Sequence, residues 1–99
     1  MASAEEVITR GAPDSAPACP AKADALLLSR AIQTKDFAVI KDLASNKGCW
    51  GVWDGSTGKV LDLDEGAGLA LVEFDHLARL PAGRTATLWL AAKVLSPKG

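Results

Sequence analysis

Apolar residues recur along this chain at two different periods, and the period changes near residue 48. In "AKADALLLSRAIQ" the positions Ala23, Leu27, Ala31 and Leu28, Ile32 fall at helical spacing. "FAVIKDLASNKG" continues the rhythm with Phe37, Ile40, Leu43 and Ala44. Pro20 suits a first helical turn, where a missing N–H costs nothing. Asp36 is a good N-cap for the second segment, and Asn46, Lys47 and Gly48 read as its stop. The pattern predicts a helical hairpin over residues 20–47, with helices at 20–33 and 37–47.

Beyond residue 48 the period shortens to two. "KVLDLD" sets Leu61 and Leu63 against Asp62 and Asp64, and "LALVEF" is an apolar strand broken only by Glu73. "DEGAG" supplies the turn between them. "CWGVW" and "RTATLWL" read as further strands, and "AAKVLSPKG" as a closing short strand or 3₁₀ turn. Four or five strands this short must curl to protect their edges. The fold class expected is therefore α+β, with an N-terminal helical hairpin followed by a small antiparallel β-barrel over residues 48–96. Residues 20–99 form one domain on this reading. Residues 1–19, rich in Pro, Ala and Ser, form a disordered tail.

Composition narrows the function more than the fold. The 99 residues are 48% hydrophobic with a formal net charge of −1, so no long-range field draws in nucleic acid or anionic membrane. No apolar run approaches the roughly 20 residues of a membrane span. The tail lacks the basic start and hydrophobic stretch of a secretory signal. An exported or periplasmic location follows if such a signal has been removed, and a cytoplasmic one otherwise.

The motifs that suggest chemistry fail on spacing. "WDGSTGKV" has Gly58 and Lys59 of a phosphate loop, but Trp53 stands at the first glycine position, Val60 at the hydroxyl position, and a strand follows. "GAGLAL" puts Leu71 where a dinucleotide fingerprint has its third glycine. "DLDEGAG" misplaces the glycine of a calcium loop and lacks its closing glutamate. His76 is the only histidine, near Glu73 and Asp75, and reads as a solvated or structural residue. No serine sits in a Gly-x-Ser-x-Gly turn, and two cysteines with one histidine do not complete a zinc site. The sequence offers no catalytic residues, no metal site and no cofactor.

Three tryptophans stand out in a chain with no Tyr and two Phe. Trp89, within the alternating "TLWL", reads as core. Trp50 and Trp53 are three apart, so on a regular strand they face opposite ways and at least one is partly exposed. These two are the candidate ligand- or partner-binding residues. The cysteines flank the helical hairpin, Cys19 just before it and Cys49 just after, at the same open end. A bridge between them would clamp the hairpin; the alternative is two free thiols in a cytoplasmic protein, and both readings stay open.

"LASNKGCW", "GKVLDLDEGAGLALVEF" and "LWLAAKVL" together resemble bacterial Src-homology-3-like domains, over roughly residues 48–95. Those domains are commonly preceded by helices or linkers in exported proteins and end on a tryptophan-containing strand followed by an apolar residue such as Val94 or Leu95. They usually carry Gly before that tryptophan, where this chain has Leu88. The resemblance implies a non-catalytic module that binds a protein, a peptide or cell-wall material. Two other classes stay open: an accessory or regulatory subunit docking a larger enzyme, and an oligomeric small-barrel enzyme with a shared pore.

Overall fold

The computed structural model describes residues 6–10, 16–78 and 86–97. Two short strands come first, β1 (Glu6–Thr9) and β2 (Ala16–Cys19), followed by α1 (Lys22–Thr34) and α2 (Phe37–Asn46). Then come β3 (Trp50–Val52), β4 (Thr57–Asp64), β5 (Leu69–His76) and β6 (Ala86–Ala91). A single 3₁₀ turn, Ala92–Val94, leads into β7 (Leu95–Pro97). The seven strands of the described residues belong to one antiparallel sheet in the order β3-β2-β6-β5-β4-β1-β7, curled into a half-barrel.

This corrects the expected architecture. The helices are not N-terminal but lie between β2 and β3, and the described residues form seven strands instead of four or five. The two unforeseen strands lie within residues 1–19, the segment expected to be disordered. β1 pairs with β4 and β7, and β2 pairs with β3 and β6. The chain therefore flanks the central β4-β5-β6 meander on both sides before the meander itself begins.

The curl follows from connectivity. β3 and β4 stand four strand spacings apart in the sheet order, about 19 Å across a flat sheet. Residues 53–56 join them through a turn in which Gly55 has φ 94°, and five Cα steps reach at most about 18 Å even when extended. A turning connection this short closes only if the β3 edge bends back toward β4.

Alternation along each strand separates two apolar layers. Ala70, Val72 and Phe74 of β5, Leu88 and Leu90 of β6, Ala16 and Ala18 of β2, Val7 of β1 and Val52 of β3 fill the inner face. The opposite face of the same strands carries Leu69, Trp89 and Cys19, covered by Ala25 and Leu28 of α1 and Leu43 of α2. The expected alternation of β4 is interrupted by a bulge between Val60 and Asp62, and Leu61 and Leu63 are both about half exposed, at 49% each.

The helix boundaries are close to expectation. Asp36 caps α2, its side chain accepting from the Val39 N–H at 3.3 Å, and Gly48 turns the chain out of that helix at φ 70°. α1 starts later than expected because Ala21, with an extended backbone, holds its N-cap position, leaving Pro20 outside. Lys35 ends α1 in the left-handed region at φ 57°, its N–H reaching the Ala31 and Ile32 carbonyls.

Gly58, the residue that mimics a phosphate-loop glycine, has a packing role. It is buried in β4 opposite Phe74, and a Cβ placed there would stand 2.5 Å from the Glu73 carbonyl oxygen and 2.9 Å from the Phe74 Cα. Backbone cannot retreat as a side-chain tip can. Gly58→Ala is expected to destabilise by about 1–3 kcal/mol through overpacking. Urea unfolding followed by circular dichroism measures it; an unchanged midpoint would mean that the β4–β5 ladder yields.

Candidate functional site

The helical pair does not lie flush on the sheet along its whole length. Between it and the β3 edge an apolar groove of about 220 Å³ remains. Leu28 and Ile32 of α1 and Ile40 and Ala44 of α2 form one wall. Each pair is four residues apart and so presents one helix face. Pro17 of β2 and Cys49, Trp50 and Gly51 form the other. Among the described residues no charged side chain lines it. Ile32 remains 43% exposed.

Of the two candidate binding residues, Trp50 lines this groove and Trp53 does not. Trp50 is half-buried on β3 and packs against the inner-face core. Trp53 is also half-buried but lies just past β3, so the opposite-face argument for a continuous strand does not reach it. Its carbonyl is held firmly: the Thr9 hydroxyl donates to it at 2.8 Å and the Ser56 hydroxyl at 2.9 Å. The Ser56 N–H donates to Thr9 Oγ1 at 3.1 Å, and the Ala78 N–H to Ser56 Oγ at 2.9 Å. Thr9 and Ser56 are fully buried, and this network satisfies them. The "GSTGK" stretch is thus the end of a turn and the start of β4, pinned to β1, with its hydroxyls already engaged.

The acidic "DLDEG" turn is likewise used internally. Asp64 accepts from the Lys22 ammonium at 3.0 Å and from the Ala67 N–H at 3.1 Å. The Lys22 hydrogen bond, then that N–H, hold the Asp64 carboxyl below its ordinary range. The same Lys22 ammonium stands 5.3 Å from the Trp89 ring centroid, so the first turn of α1 is fastened to both β4 and β6. Asp75 accepts from the Thr57 hydroxyl at 2.7 Å, and His76 is exposed at the end of β5. Among the described residues no three His, Cys, Asp or Glu side chains gather as a metal site. No helix among them is long and apolar enough to cross a membrane.

Cys19 and Cys49 form a disulfide, and both are buried. The bond joins the end of β2 to the residue before β3, and Cys49 is also part of the groove wall. Sequence reasoning saw the helical stripes and the bond's two ends, but the groove itself draws on four separate elements. Its local signals were Trp50 and the Leu28/Ile32 and Ile40/Ala44 pairs, and the pairs read equally well as core. No family model, curated protein or solved structure matches the chain.

Proposed function

We propose that the protein is a non-catalytic binding module whose contact surface is the groove between the helical pair and β3, with Trp50 at its rim. The observation that carries this is the groove's wholly apolar side-chain lining, Pro, Leu, Ile, Ile, Ala, Cys and Trp around a bare glycine. Apolar surface of this kind gains about 25 cal/mol for each Å² a ligand removes from water. A glycan fits the groove poorly, since its hydroxyls would face walls on which the described residues set no polar side chain to pair with. Peptide or protein side chains are therefore favoured over cell-wall carbohydrate.

Aromatic fragments such as indole and toluene, titrated while amide and indole N–H signals are followed by NMR, test the reading. Shifts should concentrate on Gly51, the Trp50 indole and Ala44, and Ala44→Arg, which changes an exposed groove residue, should abolish them. Shifts confined to other surfaces would overturn it.

A second reading, docking to a larger protein through the outward side of the helices, draws support from Leu27 and Phe37, 46% and 72% exposed. Phe37→Asp would weaken such docking and leave the fragment shifts unchanged.

A further inference from the structure

We infer that the groove receives an extended peptide segment which adds to the sheet as a strand beside β3 and places one large apolar side chain in the cavity; the inference rests on the binding reading above. The first observation is the state of the sheet's edges. β3 and β7 are the terminal strands, each paired on one side only among the described residues. β7 ends on Pro97, a residue that blunts an edge, whereas β3 reads Trp-Gly-Val, with neither proline nor charge to deter pairing. The unguarded edge is the one that borders the apolar groove.

The second observation is the direction of the side chains. Val52 belongs to the inner-face core and Trp50 packs against it, so Gly51 between them faces the helices. Pro17, its partner in the ladder, faces the same way and lines the same groove. Residues directly opposite on neighbouring strands project to the same face. A peptide residue set beside Gly51 on its open side would therefore direct its side chain toward the helices and into the groove. Glycine at this position lets another backbone come close and leaves the space empty.

The third observation is size. About 220 Å³ exceeds the roughly 150 Å³ that holds a benzene ring in an engineered apolar cavity, so one aromatic or large aliphatic side chain fits. The open edge is three residues long, about 10 Å. A stable dimer buries on the order of 1,200 Å² or more, far beyond what this edge and a one-residue pocket present. A peptide segment matches the surface better than a second copy of the chain does.

The test uses a blocked pentapeptide, Thr-Val-Phe-Val-Thr, with the full oxidised chain. Binding should shift the Gly51 amide and slow its hydrogen exchange. Asp in place of the central Phe should weaken it by about tenfold or more, because a charge cannot enter the apolar cavity unpaired. N-methylation of the two amides on the edge-pairing side should also weaken it about tenfold, by removing backbone hydrogen bonds. Equal binding of methylated and unmethylated peptides would overturn strand addition while leaving the apolar groove a binding site. Failure of both the peptide and the aromatic fragments would overturn the binding reading itself. Concentration-dependent dimerisation detected by light scattering and lost in Gly51→Asp would assign the edge to a second copy and overturn the peptide.

Discussion

Trp89→Ala is expected to lower the unfolding free energy by about 3–5 kcal/mol, the range for deleting a large aromatic from a packed interior. Trp89 lies on β6 between Cys19 of β2 and Leu71 of β5, on the face that α1 and α2 cover. It is 9% exposed and packs in one cluster with Leu28, Leu43, Leu69 and the disulfide. Its removal leaves a cavity at the one place where sheet, both helices and the bridge meet. Lys22 loses the ring beneath its ammonium at the same time, though it keeps Asp64. Urea titration followed by circular dichroism gives the number, provided the slope stays constant so that the change is one of stability. A loss below about 1 kcal/mol would mean that the helices collapse onto the sheet without the indole, against the partial relaxation usual for such sites. Acrylamide quenching in the parent protein should correspondingly find Trp89 shielded and Trp50 partly accessible.

Removing the Cys19–Cys49 bond is the second large effect. The bond closes a loop with a sequence separation of 30, and that loop contains both helices. In the chain-entropy account, a loop of this length corresponds to about 3–4 kcal/mol. Alanine is the better replacement, since both sulfurs are buried and a serine hydroxyl would add the cost of an unpaired polar group. The expected result is that the oxidised protein shows no reactive thiol in denaturant. Reduction should then lower the urea midpoint about as far as Cys19→Ala with Cys49→Ala does. Two reactive thiols in the air-equilibrated protein would contradict the bond, and a bond whose loss leaves the midpoint unchanged would locate the stability in the helix–sheet contact alone.

The helices were readable from the chain because their signals are local. Asp36 caps, Gly48 turns, and Leu28/Ile32 and Ile40/Ala44 recur within one or two turns. β1 and β2 were not, for opposite reasons to do with size and distance. "APAC" carries small residues at its buried positions, so Ala16 and Ala18 are inaccessible without any bulky alternation to announce it. Their burial is created by Phe74, Leu88 and Leu90, more than fifty residues away along the chain. β1 pairs with β4 and β7, partners that composition near Glu6–Thr9 cannot indicate. The strand nature of "CWGVW" was legible in part, but its place at the sheet edge is a property of topology. Trp50 was accordingly found as a candidate contact and the groove around it was not.

The position of the disulfide bears on how this architecture can vary between descendants. The Cα atoms of Cys19 and Cys49 are 4.1 Å apart, little more than the spacing of two bonded neighbours in a chain. Everything from Pro20 to Gly48 is therefore an excursion that leaves and returns at nearly the same point, hung on the β2–β3 ladder. Insertions, deletions or a different helical pair could be accommodated there without altering the register of a single strand. The β3 edge would persist through such changes, and the opposite wall of the groove would change with each replacement. Evolution could thus reshape the groove by exchanging the excursion while keeping the strand edge that borders it.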